Sequence, residues 1–236
     1  MLKWHPLLDY EQMALFVEAI SDLIEPGDGH GPWFMAGEGS AVFWGFVDGT
    51  FRGFCHPTGY KQQCSAYSGH KKEHGQKWQA VVGTNGLIWS LIGPFLGPVN
   101  DWAIWRRSCL ADRLCETIGE RPMLYLYGDP SYKHSYGVLA PFKHLRGRFF
   151  LNSWQQKFNE RLSSARIAVE HAFGHVQVRW TYTAFSKGLR AGHSPIAAYF
   201  AAAALFTNCL TCLQGNQTSQ RFVVDPPSLE EYFLLN

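Results

Sequence analysis

Three hydrophobic segments, each carrying an acidic residue, constrain the fold of this chain more than any other feature. The first two are rich in aromatic and β-branched residues and meet turn-forming residues at Asp48 and Asp129, so they predict buried strands that end in an aspartate. The third segment predicts a helix that carries Glu170. Open sheets bind ligands at the carboxyl ends of their core strands. The pattern therefore indicates an α/β sheet with acidic side chains at its binding edge.

Carboxylates that converge at one sheet edge repel one another unless cations neutralise them. Mg²⁺ and Mn²⁺ prefer such all-oxygen coordination, and two such ions, roughly 3.5–4 Å apart, commonly promote in-line attack on a phosphodiester. The residues thus predict a metal-dependent nuclease in which Asp48, Asp129 and Glu170 are catalytic and bind the metal ions. Each acid also has a structural explanation, because an aspartate can begin a turn and Glu170 can pair with Arg166 one helical turn earlier.

The composition is that of a globular protein with one generous domain. The 236 residues are 46% hydrophobic and 17% charged, which excludes a disordered chain. The net charge is only +2, so any affinity for DNA has to come from local basic patches. The N-terminal residues lack the apolar segment of a signal peptide, and the uncharged stretch 196–212 predicts a buried helix rather than a membrane span. We therefore expect no membrane partner.

Hydrophobic periodicity predicts an order of elements that suits a ribonuclease-H-like fold. An Asn-Gly turn joins strands at 78–83 and 87–92 into a hairpin that follows the Asp48 strand, and a helix then leads to the Asp129 strand. No element is predicted in the C-terminal tail. The predicted helices are Tyr10–Ile24, Asn100–Ile118, Phe158–Val178 and Pro195–Leu213.

Short motifs occur in a fixed order through most of the chain. They are Trp4-His-Pro-Leu-Leu8, Trp44-Gly-Phe-Val-Asp-Gly-Thr50, Tyr67-Ser-Gly-His-Lys71, Gly93-Pro94, Tyr127-Gly-Asp-Pro-Ser-Tyr132, the spaced set Phe158-Asn159, Ser163, Arg166, Val169-Glu170 and Phe173-Gly174, and the tail Asp225-Pro-Pro-Ser-Leu-Glu-Glu-Tyr232. As an ordered set, they resemble the DDE catalytic domain of PIF/Harbinger-type transposases and of nucleases derived from them.

The resemblance implies a ribonuclease-H-like mixed sheet, with an antiparallel three-strand unit plus parallel strands, flanked by helices. It implies that Asp48, Asp129 and Glu170 bind two Mg²⁺ or Mn²⁺ ions, one of which helps to generate the attacking hydroxide while the other stabilises the leaving 3′ oxygen. We expect residues 41–236 to form this catalytic domain. Residues 1–40, a helix and a Gly-rich loop, are expected to belong to the same unit.

Two departures from the family pattern affect the expected role of this chain. The family usually carries a His-Asp pair where this chain has Asn100-Asp101, so Asp101 is an accessory candidate without the histidine. The family also commonly has a helical DNA-binding region ahead of the catalytic domain, whereas 47 residues precede Asp48 here. Similar systems use a separate Myb-like protein for targeting, so we expect such a protein as partner. The resemblance implies DNA as substrate, and the location follows the substrate: we expect the nucleus of a eukaryotic cell, with the cytoplasm as a further location.

A basic segment between the Asp48 strand and the hairpin is the candidate DNA contact. His70, Lys71, Lys72 and Lys77 are placed to meet DNA phosphates beside the acids, although a solvated surface would have the same composition. A second, weaker patch is Lys143, Arg146 and Arg148.

Three alternatives remain open at this point. Asp101 has a structural explanation, because it lies at the start of a predicted helix, where the helix dipole favours an acid. Arg166 is expected to orient Glu170. Structural zinc on a Cys/His cluster is disfavoured by the spacing of its members, Cys55, Cys64, His70 and His74. The main alternative to a nuclease is a catalytically silent remnant of a transposase that binds DNA or protein.

Overall fold

The structure, a computed structural model, describes residues 3–24, 34–36, 39–143, 150–183 and 188–235. The strands in this part of the chain are β1 (Phe34–Ala36), β2 (Gly39–Gly53), β3 (Tyr67–Ser68), β4 (Glu73–Val82), β5 (Ile88–Leu96), β6 (Leu124–Tyr127) and β7 (Val138–Leu139). The α-helices are α1 (Tyr10–Ile24), α2 (Tyr60–Ala66), α3 (Asp101–Arg107), α4 (Leu110–Ile118), α5 (Ser153–Arg179), α6 (Ile196–Gln214), α7 (Gln217–Phe222) and α8 (Leu229–Tyr232). Most of the expected Gly-rich loop, which reaches residue 40, lies outside the described residues. Its described part forms β1 and the start of β2, so the loop prediction is wrong there.

Five strands form the central sheet in the order β5-β4-β2-β6-β7. The pairs β5–β4 and β4–β2 are antiparallel, whereas β2–β6 and β6–β7 are parallel. The short strands β1 and β3 pair antiparallel with β2 and β4. This mixed sheet, flanked by helices, confirms the predicted ribonuclease-H-like α/β fold.

The two faces of the sheet pack against different sets of helices. Phe46 in β2 belongs to a core cluster with buried residues of α5 and α6, whereas Val47 belongs to a second cluster with buried residues of α3 and α4. Because side chains alternate along a strand, Asp48 is in phase with Phe46 and faces α5. The register of β2 is therefore what brings Asp48 to the helix that carries Glu170.

The predicted helix Asn100–Ile118 is wrong as a single element, because α3 and α4 are separated by Ser108 and Cys109. The Ser108 hydroxyl donates to the Trp105 carbonyl at 2.6 Å and accepts from the Leu110 amide at 3.2 Å. Serine side chains that bond to nearby backbone groups in this way compete with the helical ladder. Cys109 then adopts a left-handed backbone (φ 55°), which starts the chain in a new direction.

Capping residues explain where three helices differ from the predicted elements. Helix α5 begins at Ser153 rather than Phe158, because Asn152 and Gln155 form a reciprocal capping box. The tail, for which no element was predicted, contains α7 and α8, and capping boxes begin at Asn216 and Ser228. The short helix α2 was also not predicted.

Helix α6 confirms the predicted last long helix and packs into the core. It is long and apolar enough to cross a bilayer by length and composition alone. In the fold, however, buried Asn208 accepts from the Ile88 amide at 2.9 Å and donates to the Ile88 carbonyl at 2.8 Å. The same amide donates to the Tyr232 hydroxyl at 2.9 Å, so α6 ties β5 to α8.

Candidate active site

Asp48 and Asp129 lie at the same edge of the central sheet. Strands β2 and β6 are parallel, with Phe46 opposite Tyr127, and each aspartate follows two residues after its member of that pair. Strand β2 does not end at Asp48 as predicted, because it continues to Gly53 alongside β4. Its pairing with β6 does end at Phe46, so Asp48 still lies at the carboxyl end of the parallel pair.

Helix α5 adds Glu170 to this edge through Arg166. The Arg166 guanidinium donates to Asp48 Oδ2 at 2.5 Å and to Glu170 Oε1 at 3.0 Å. The two α5 residues are four positions apart, which places them on one face of the helix. The side chains of Arg166 and Asp48 are 17% and 18% exposed, whereas that of Glu170 is 55% exposed, so the cluster runs from the protein interior to the surface.

Asp129 lies in a tight turn after β6. Its Oδ1 accepts from the backbone amide of Ser131 at 3.0 Å and from the Ser131 hydroxyl at 2.5 Å. The Asp129 charge contributes to raising the pKa of Asp48, so the two carboxylates are electrostatic neighbours. These bonds to one oxygen hold the carboxylate in place beside Asp48.

Asp101 is a fourth acid at the same edge. It is the first residue of α3, as the helix-start interpretation predicted, and its Oδ1 also lies 3.3 Å from Lys77 Nζ. A Cβ at Gly49 would collide with Asp101 Oδ1, so the glycine next to Asp48 makes room for this acid. Asp101 thus contributes negative charge to the site while being paired with a lysine.

Burial and neighbouring charges make this edge strongly receptive to a cation. Burial raises the pKa of Asp48 to about 6, despite the opposing effects of the Arg166 charge and the hydrogen bond from the Gly49 amide. The charges of Asp129 and Asp101 raise the pKa of Asp48 further. A carboxylate in such a setting is stabilised when a positive charge arrives.

Tyr132 and Gln79 belong to the site but were not among the predicted site residues. Tyr132 is fully buried, and burial together with the charges of Asp101, Asp48 and Asp129 raises the pKa of its hydroxyl well above its usual range. Gln79 Nε2 donates to that hydroxyl at 2.8 Å and to the Asp101 carbonyl at 3.3 Å. The one available signal was a polar residue, Gln79, inside an otherwise apolar strand segment.

The donor chemistry of these acids fits a hard divalent cation, because carboxylate oxygens are its preferred ligands. Among the described side chains, however, no group of three His, Cys, Asp or Glu residues is close enough to hold a metal ion. The Arg166 guanidinium bridges Asp48 and Glu170 instead. Arg166 thus supplies the positive charge beside Asp48 and Glu170 in this arrangement. That Asp48, Asp129 and Glu170 hold metal ions stays a prediction.

The basic segment is divided between two environments. His70, Lys71 and Lys72 are exposed in the turn that connects β3 to β4. Lys77 lies on β4, is only 18% exposed and is paired with Asp101. In the second patch Lys143 is exposed, whereas the predicted contacts at Arg146 and Arg148 lie outside the described residues.

The zinc alternative receives no support from the part of the chain that the structure describes. Cys64 and His70 are exposed, Cys55 and His74 are half-buried, and no three of the described His, Cys, Asp and Glu side chains there form a metal-binding group. The His74 ring packs against the ring of His56, at 4.6 Å between centroids.

Comparison with known proteins gives one positive result. The family model described as DDE superfamily endonuclease matches residues 47–208, which is more than half of the chain and includes all three predicted catalytic acids. No curated protein and no solved structure matches significantly.

Proposed function

The chain belongs to the DDE superfamily endonuclease family, and on that premise we propose that it is a transposase-derived DNA endonuclease of the PIF/Harbinger type. Its reaction is the hydrolysis of phosphodiester bonds in DNA with two divalent cations. Asp48, Asp129 and Glu170 are proposed to hold the cations, as the family generally uses divalent metal ions. The observation that carries the proposal is the shared edge of β2 and β6, where the two aspartates follow paired positions of parallel strands.

Divalent cations bound there would activate water and stabilise the leaving 3′ oxygen. The protein contributes a prearranged set of acids: Asp48 on a core strand, Asp129 fixed by Ser131, and Glu170 on α5. Arg166 is a positioning residue, because its two hydrogen bonds hold Glu170 next to Asp48. Burial of Asp48 excludes water from one side of the site and strengthens the electrostatic interactions within it.

DNA is proposed to approach along the exposed turn of His70, Lys71 and Lys72. Each lysine there can neutralise one phosphate and release its counterions. We further propose that a separate DNA-targeting protein of the Myb-like kind directs the nuclease to its site, and that the protein acts in the nucleus of a eukaryotic cell.

A catalytically silent DNA- or protein-binding module is the second candidate. One observation favours it, namely the Arg166 bridge that already compensates Asp48 and Glu170 without a metal ion. Retention of all three acids in the matched region supports the nuclease instead. The two candidates differ in whether the acids are needed for a chemical reaction.

A plasmid-nicking assay with and without Mn²⁺ distinguishes them. We expect Mn²⁺-dependent nicking by the wild type, complete loss in Glu170→Gln, and wild-type nicking in the control Glu160→Gln. Glu160 is an exposed glutamate on the same helix, so the pair differs only in proximity to Asp48. Nicking by Glu170→Gln at the wild-type rate would refute the assignment. No nicking by any of the three proteins, together with no binding of Mn²⁺ by the wild type, would favour the silent module.

A further inference from the structure

A groove of about 1060 Å³ runs between α1 and the segment that follows α7. It shares no residue with the acidic site described above. Its lining combines apolar side chains with six carboxylates and one guanidinium, in a chain whose net charge is +2. The carboxylates are Asp9, Glu11, Glu18, Asp22, Asp225 and Glu231, and the guanidinium is Arg221. The lining of the groove therefore carries net negative charge, whereas the chain as a whole is slightly positive.

Helix α1 supplies one wall with a regular stripe of exposed side chains. Glu11, Leu15, Glu18 and Asp22 are spaced four, three and four residues apart, which places them on one helical face. All four are exposed, and Leu15 is 54% exposed in the middle of the stripe. The opposite face of α1, including Phe16, is buried in the core. The solvent-exposed face of α1 thus carries one apolar side chain, Leu15, between acidic side chains.

Val223 supplies the facing apolar position on the other wall. It is 89% exposed and has a left-handed backbone (φ 55°), an unfavourable conformation for a β-branched residue. Two prolines, Pro226 and Pro227, follow it along the groove and restrict the backbone of this wall. A strained and exposed valine lowers stability on its own.

The charges of the groove are largely uncompensated. Glu18, Asp22 and Asp225 form no ion pair with any described residue. Arg221, the one cation among the described lining residues, forms no ion pair with them and donates instead to the carbonyl and hydroxyl oxygens of Ser164 at 3.0 and 2.9 Å. These exposed carboxylates are therefore available to a ligand of positive charge.

We propose that this groove docks a basic amphipathic helix of a partner protein. Its apolar side chains pack on Leu15 and Val223, and its lysines or arginines face Glu18, Asp22 and Asp225. Helices that lay an apolar face into a groove are a common mode of recognition, and charge of opposite sign sets their orientation. The 15 residues of α1 span about 22 Å, so this wall is as long as about four turns of such a helix.

The test uses a fluorescein-labelled 15-residue peptide of Leu, Ala and Lys with its leucines on one helical face. A peptide of the same composition with scrambled order is the matched control, because it keeps the charge and loses the apolar face. Fluorescence anisotropy with the full chain should show at least tenfold tighter binding of the amphipathic peptide. Equal binding of both peptides would overturn the proposal, because it would mean attraction by charge alone.

Protein variants locate the binding. Glu18→Lys with Asp22→Lys should weaken binding of the amphipathic peptide at least tenfold. The control Glu116→Lys with Glu120→Lys makes the same change in charge on exposed residues at the end of α4 and beyond, and should leave binding unchanged. Equal loss in both double variants, or no loss in the first, would contradict docking in the groove.

Val223→Gly separates docking from folding. Glycine adopts the left-handed backbone readily, so this variant should raise the urea midpoint of the chain while it weakens peptide binding. A variant that is more stable yet binds more weakly cannot be explained by damage to the fold. Unchanged peptide affinity in Val223→Gly and in Leu15→Ser would refute the claim that the partner helix packs its apolar side chains on Leu15 and Val223.

Discussion

Asp48 is predicted to destabilise the metal-free protein at neutral pH, and Asp48→Asn should therefore stabilise it. Burial raises the pKa of Asp48 from its ordinary 3.8 to about 6, even with Arg166 beside it. One pKa unit corresponds to 1.36 kcal/mol, so the ionised carboxylate costs the folded state roughly 3 kcal/mol at pH 8. Asparagine has nearly the same shape and carries no charge to desolvate.

The pH dependence gives the sign of the effect. A carboxyl group with a higher pKa in the folded state binds its proton more tightly there, so the folded state is favoured at low pH. This stability is fully present below about pH 4 and is lost as the pH rises through about 6. The advantage of Asp48→Asn should accordingly fall from roughly 3 kcal/mol at pH 8 to about 1 kcal/mol at pH 4.5.

Urea unfolding in EDTA at both pH values measures this difference. At pH 8 the midpoint of Asp48→Asn should lie about 1 M above that of the wild type, given an m-value of roughly 3 kcal/mol per M. Glu170→Gln is the control, because its side chain is 55% exposed and should change stability by no more than about 0.5 kcal/mol. An Asp48→Asn variant that is no more stable than the wild type at pH 8, or equally stabilised at both pH values, would refute the reasoning.

Three further predictions concern catalysis, DNA binding and the core. Asp129→Asn should abolish plasmid nicking while the far-UV circular dichroism spectrum stays unchanged. Persistent nicking would refute the assignment of Asp129 as a catalytic residue. The double variant Lys71→Ala with Lys72→Asn should weaken duplex binding and reduce the slope of log affinity against log salt concentration by about two in a filter-binding titration. Asparagine is chosen at position 72 because Lys72 has a left-handed backbone (φ 56°). The control Lys77→Met should change neither. Asn208→Ala should destabilise the chain by about 3 kcal/mol in urea, because it leaves a buried amide and carbonyl of β5 unpaired; a loss below about 1 kcal/mol would contradict that role.

The sequence was sufficient to predict the elements whose pattern is local. Helix α1 has the predicted bounds, Tyr10–Ile24, and the Asn-Gly turn correctly joins β4 to β5. Apolar periodicity and turn residues act within a few positions, so they are visible in the chain itself. The sheet order could be predicted only through the resemblance to a known family, because pairing of distant strands leaves no local signal.

Elements set by competition between side chains and backbone were missed. The apolar pattern continues across Ser108 and Cys109, yet the serine hydroxyl bonds to the backbone and the helix divides. Strand β2 likewise continues past Asp48, because its antiparallel partner β4 supplies hydrogen bonds that the Asp-Gly turn signal does not reveal. Local propensity is a weak predictor wherever a tertiary partner decides the outcome.

At the candidate site, the acidic residues could be predicted from the sequence, whereas their contacts are visible only in the structure. Glu170 was expected to interact with Arg166, but the bridge from Arg166 to Asp48 joins residues 118 positions apart. The pairing of Lys77 with Asp101 was equally hidden, since both residues had separate explanations in the sequence. Such contacts depend on the register of β2 and on how α5 packs against it.

Calorimetric titration of Mn²⁺ into the full chain is the most direct test of the proposed site. It does not depend on a DNA-targeting partner, without which an intact nuclease can remain idle. The account predicts binding by the wild type and by the exposed-surface control Asp112→Asn, and its loss in both Asp48→Asn and Asp129→Asn. Absence of binding by the wild type, with and without a short DNA duplex, or undiminished binding by the two variants, would contradict the central claim that these carboxylates hold the catalytic metal ions.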